Sequence, residues 1–185
     1  SYPGEVEAKA SDTVKNPVIE KIADYTGGMD YIDWQVPINH NRVGLGEVTV
    51  SDPLPENLLL DTDSVKLYEM TAWNPDGTNP KTKITKGSEV SRAESAGPDA
   101  YSFEYNKNHD NLFTVSLPTN TNKAFVLEFT TYALRNDVEV DNTITFSGTG
   151  FDSKNSQVSK HVVVNDETAG GSGSSGKLTI VKVDA

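Results

Sequence analysis

The chain has 185 residues, enough for one sizeable β domain or for one domain with interdomain tails. Its net charge is −11, with 27 acidic residues against 16 basic ones and no basic run, which disfavours nucleic acid and anionic bilayers as partners. Cysteine is absent, which excludes disulfides, thiolate metal sites and thiol nucleophiles, and no stretch approaches the roughly 20 apolar residues of a membrane helix.

Residues 1–16 are polar and charged, and read as a linker or the end of a preceding domain. From Pro17 short alternating runs follow one another: VIEKIADY, YIDWQVPIN, GEVTVSDPL, SVKLYEMTAW, YSFEYN, NLFTVSL, KAFVLEFTTYAL, VEVDNTITFSG and QVSKHVVV. In the second run Ile32, Trp34, Val36 and Ile38 share one face, with Asp33, Gln35 and Pro37 on the other. Such runs between Asp, Asn, Gly and Pro turns predict an all-β, immunoglobulin-like two-sheet sandwich over residues 17–166. Asn74-Pro75-Asp76-Gly77 is the clearest turn. Pro37, lacking a donor in mid-run, points to an edge strand or a bulge. Residues 80–98 are polar and aperiodic and read as a long excursion, with room for a short helix around Lys86–Ala96. Residues 167–176 are a glycine/serine linker. Residues 177–185 then begin a new alternating strand, expected to open a following domain or to dock back on the sandwich.

Three polar residues occupy inward positions of this alternation. Lys21 is in phase with Ile19 and Ala23, Asp52 with Val48 and Val50, and Asn142 with Val138, Val140, Ile144 and Phe146. Burying a lone ammonium or carboxylate is costly unless it is paired or changes protonation. A lysine, a carboxyl and a carboxamide meeting in one core have a third course, which is to react and form a Lys–Asn amide. The ordinary alternatives stay open on pattern alone: Lys21 snorkelling from a strand end, Asp52 capping a turn, and Asn142 facing solvent.

Other polar groups give weaker signals. His40, His109 and His161 show no metal spacing, and Asp61, Asp63 and Glu69 lack the loop pattern of a calcium site. No phosphate loop or serine elbow is present. No cofactor and no enzymatic turnover are expected. Trp34 reads as a core aromatic, and Trp73, beside the Asn-Pro-Asp-Gly turn, as a loop anchor or a candidate ligand contact.

The stretch IDWQVPIN, followed by VTVSDPLPENLLLDTDSVKLYE, resembles the collagen-adhesin A-type and fimbrial isopeptide-forming domains of Gram-positive surface proteins and pilins. The resemblance runs from about Ile19 to His161 and takes in FVLEFTTYA and VDNTITF. The closing GKLTIVKVDA resembles the first strand of a B-type repeat of the same class of proteins. In that family a lysine on the first strand condenses with an asparagine on the last core strand, helped by a buried acid. The resemblance therefore implies Lys21 and Asn142 as the crosslink and Asp52 as the acid. Glu128 is the alternative acid, although its parity sets it opposite Phe125, Leu127 and Phe129.

What this implies is a stalk or shaft domain of a cell-wall-anchored adhesin or pilus protein, extracellular, whose partners are the flanking domains of the same polypeptide. The alternative is the ligand-binding module of an adhesin, recognising a host matrix protein or a glycan through the Trp73 loop or the 80–98 segment. In a pilus subunit, Lys15 or Lys160 would be available for joining subunits.

Overall fold

A computed structural model describes residues 17–25, 29–134, 138–149, 156–164 and 180–183. The N-terminal segment with Lys15, and the expected linker at 167–176, lie outside these, as do the side chains of Lys160 and His161. Two sheets face each other. The first holds β1 (Ile22–Asp24), β2 (Tyr31–Ile38), β4 (Leu58–Trp73), β5 (Ile84–Glu89) and β9 (Phe125–Ala133), in the order β1-β2-β9-β4-β5. The second holds β3 (Val48–Pro53), β6 (Ser91–Arg92), β7 (Ala100–Asn106), β8 (Leu112–Ser116), β10 (Val138–Gly148), β11 (Ser156–Val164) and β12 (Ile180–Val183), in the order β12-β11-β10-β3-β8-β7-β6. The chain is an all-β two-sheet sandwich.

The core lies where the alternation predicts. Ile32, Trp34, Val36 and Ile38 of β2 are buried, as are Phe125, Leu127 and Phe129 of β9. Across from them sit Val48 and Val50 of β3, Phe113 and Val115 of β8, and Ile144 and Phe146 of β10. Strand β10 runs antiparallel to β3, with Thr145 opposite Ser51 and Gly148 opposite Val48. A side chain at Gly148 would stand 2.2 Å from the Glu47 carbonyl oxygen, so only glycine permits this close approach. Strand β12 pairs antiparallel with β11, Val183 opposite Ser159.

Three local expectations are corrected. The 80–98 segment is not an irregular excursion, and no helix spans Lys86–Ala96. A four-residue helix, α1 (Pro80–Lys83), is followed at once by β5 and β6. Pro80 suits the first helical position, and the Asn79 side chain accepts the Thr82 N–H at 3.2 Å. Strand β5 is an edge strand exposed along nearly its whole length, so its sequence carries no apolar alternation. Pro37 lies on an interior strand, between β1 and β9. Its carbonyl accepts from Glu20 at 3.0 Å, but it returns no N–H, and regular β1–β2 pairing stops at Ile22–Gln35. The third correction concerns β4, which begins at Leu58 and includes a register shift between Asp61 and Lys66. There the Ser64 hydroxyl accepts the Thr130 N–H at 2.8 Å and donates to the Asp61 carbonyl at 2.6 Å. Asp61 and Asp63 belong to this bulge, and among the described residues no group of three or more His, Asp or Glu is placed to hold a metal.

Candidate functional site

Lys21 lies just before β1, where the peptide alternates strictly: Lys21, Ala23 and Tyr25 are buried while Asp24 is exposed. Asp52 is the last inward residue of β3, and its backbone pairs with that of Phe113 on β8. Extending the β3–β10 register by one step places Ile144 across from Asp52. Asn142, two residues further along β10, then sits diagonally from Asp52 on the same inner face, within reach of its side chain. Lys21, Asp52 and Asn142 are all buried to within 1 % of full burial.

The Lys21 ammonium nitrogen, Nζ, stands 2.8 Å from Asp52 Oδ2, and neither side chain has solvent exposure. Burial pushes the Lys21 pKa below the ordinary lysine value, against the opposing pull of the Asp52 charge and hydrogen bond. Burial likewise raises the Asp52 carboxyl, against Lys21 first and the Asn142 amide second. Asn142 is thus close enough to favour the Asp52 anion. Even so, Asn142 Nδ2, Asn142 Oδ1 and Asp52 Oδ1 have no aligned hydrogen-bond partner among the described residues. Each such buried orphan costs about 1–3 kcal/mol.

Aromatic rings enclose the amine. Nζ is 4.8 Å from the Trp34 ring centre and 5.5 Å from that of Phe129. Trp34 and Phe129 stack at 6.2 Å, and Phe113 meets Phe129 edge-on at 4.8 Å. The Trp34 indole N–H donates to the Thr131 hydroxyl oxygen at 2.8 Å. This box gives Lys21 and Asp52 an apolar, water-poor setting in which the neutral amine and the neutral acid are both favoured.

The structure therefore gathers Lys21, Asp52, Asn142 and Trp34 in one place. It does not bring Glu128 there: that side chain lies on the outer face of β9, with Lys86 Nζ 3.2 Å from both carboxylate oxygens. Trp73, at the end of β4, is half-buried, stacked at 5.4 Å on His40 with Lys83 Nζ 5.4 Å from its ring centre. The sequence alone did not single out Phe129 beside the amine, nor Phe113 and Thr131, which contact Phe129 and Trp34. Thr131 lies on the inward parity of β9, but a threonine there stands out little from the apolar residues around it.

The sequence model for the collagen binding domain matches residues 16–157, most of the chain. The chain belongs to the collagen binding domain family. Among solved structures, the collagen-binding subdomain of the Enterococcus faecalis surface protein ACE is similar at a TM-score of 0.55 and 13% identity, over 78% of this chain and 95% of that one. The collagen-binding domain of a Staphylococcus aureus adhesin gives 0.51 at 17% identity, over 76% and 95%. BcpA, the major pilin subunit of Bacillus cereus, gives 0.52 at 13% identity, over 81% of this chain and 40% of the pilin. At these identities the likeness is one of fold. No curated protein sequence matches the chain. Among the described residues, no helix is long and apolar enough to cross a membrane.

Proposed function

We propose that this collagen binding domain is the ligand-recognising module of a cell-surface adhesin, that its ligand is a host matrix protein of collagen type, and that a Lys21–Asn142 amide locks its fold. The family match across residues 16–157 carries the binding reading, because it spans nearly the whole sandwich. It favours binding over the spacer role that the sequence alone favours.

The buried, partly unsatisfied Lys21–Asp52–Asn142 group supports the amide. Lys21 as the neutral amine attacks the Asn142 carboxamide carbon, while Asp52 as the neutral acid donates a hydrogen bond to the carbonyl oxygen. The Nζ–carbon bond forms and the carbon–Nδ2 bond breaks. One proton passes from Nζ to Asp52, and one from Asp52 to the leaving nitrogen. Ammonia departs and Asp52 returns to its starting state. Fixed proximity supplies about 7–11 kcal/mol relative to separate reactants. The event is a single turnover that completes the fold, and it removes both N–H donors of the unsatisfied Nδ2.

Binding is tested by surface plasmon resonance of the chain on immobilised triple-helical collagen, with heat-denatured collagen alongside. Saturable binding to the triple helix is expected. Absence of binding to either form would sink the collagen reading. It would leave the second one, a load-bearing stalk or pilus-shaft domain, which the same buried group and the likeness in fold to a major pilin support. The division into a domain at 17–166, a linker at 167–176 and a closing strand that opens a further domain or docks back on the sandwich belongs to this same proposal, and the pairing of Ile180–Val183 with β11 supports docking back.

A further inference from the structure

We propose that Thr131 is a positioning residue for the Lys21–Asn142 condensation, acting through the Trp34 indole; the inference rests on the amide reading above. Phe125, Leu127, Phe129 and Thr131 form the inner face of β9, and Thr131 is its polar member, with no solvent exposure. Its hydroxyl oxygen takes the Trp34 indole N–H at 2.8 Å, and both side chains are buried.

That bond fixes the ring that stands 4.8 Å from the attacking nitrogen. Stacked on Phe129, the indole forms a wall on one side of Nζ, while Asp52 Oδ2 holds it at 2.8 Å from another. A lysine side chain has four rotatable bonds, and an amine held by the acid alone can swing away from the carboxamide. A fixed wall narrows that freedom. With the acceptor removed, the indole N–H is left buried without a partner, and the ring turns or shifts to find one. Near-attack geometry is sensitive to such movement: a displacement of about 1 Å can cost a hundredfold in rate. Thr131 exchanges no proton and bonds to no reacting atom. Its influence falls on how fast the Nζ–carbon bond replaces the carbon–Nδ2 bond, and ammonia loss remains the readout.

The test follows the full chain made by cell-free synthesis, sampled over time, quenched in denaturant and weighed intact. Thr131→Val, which keeps the shape and removes the acceptor, is expected to lose ammonia roughly tenfold more slowly than the unaltered chain. Thr131→Ser is expected to restore the rate. Added to Trp34→Phe, which has no N–H to satisfy, Thr131→Val is expected to cause no further slowing. This cycle is the readout that a merely structural role would not give. Folding is checked separately by circular dichroism in an Asn142→Ala background, and if Val does not fold there, Thr131→Ala takes its place. A Thr131→Val chain that closes at the unaltered rate overturns the proposal, as does equal slowing in the Trp34→Phe background. If the unaltered chain itself never loses ammonia, the amide reading fails first and this inference with it.

Discussion

At the scale of single residues, the account turns on two opposed groups made less charged by the same burial. Asp52→Asn keeps the volume but cannot shuttle protons, so it is expected to stop amide formation, leaving the full calculated mass. Formation at the normal rate in that variant would remove Asp52 from the mechanism. Asn142→Ala leaves Lys21 a titrating amine and exposes the linkage. With a folded pKa below 10.5, Lys21 has released a proton that the unfolded chain still holds, so stability rises with pH up to about 10.5. With a folded pKa above 3.8, Asp52 keeps a proton that the unfolded chain has lost, so stability falls as pH rises from 3.8 through the folded value. The uncrosslinked pair is therefore least favourable at a pH between 3.8 and 10.5. Urea midpoints of Asn142→Ala should gain on those of a reference also carrying Lys21→Met and Asp52→Asn as pH goes from 7 to about 10.5. A constant gap would contradict the depressed Lys21. Lys21, Asp52 and Asn142 were legible in the sequence because a charged or amide group breaks the period-two alternation sharply. Thr131 was not, because threonine is at home in strands and its hydroxyl raises little contrast there.

At the scale of elements, strands with one face in the core were visible in the sequence and strands outside it were not. β2, β3, β8, β9 and β10 bury alternate residues, and the pattern shows directly. β5 presents nearly all of ITKGSE to solvent, so backbone pairing to β4 holds it without an apolar signature. The site depends on the pairing of β3 with β10, since that register sets Asn142 diagonal to Asp52. Gly148 anchors its far end, against the Glu47 carbonyl. Gly148→Ala is expected to destabilise the fold by about 1–3 kcal/mol through this clash, measured by chemical denaturation, and to slow amide formation. An unchanged midpoint would show that β10 can shift away at no cost.

At the scale of the whole molecule, the proposed amide would link the two layers of the sandwich. Lys21 leads into the first sheet and Asn142 stands in the second, so a bond between them closes a loop of more than 100 residues. By the chain-entropy analogy with disulfides, such a closure contributes about 5 kcal/mol. Asn142→Ala is accordingly expected to lower the melting temperature by about 10–20 °C for a domain of this size. A shift of a degree or two would mean that the link adds little to thermal stability. The proposed bond contains no sulfur, so reductants and thiol exchange would leave it intact, which suits either proposed role, gripping a ligand or carrying load.

The most direct measurement is the mass of the intact, denatured protein against that calculated from its sequence. A deficit of one ammonia is predicted for the unaltered chain, and none for Lys21→Ala or Asn142→Ala. The full calculated mass for the unaltered chain would contradict the account, leaving a buried, hydrogen-bonded Lys21–Asp52 pair beside an unreacted Asn142.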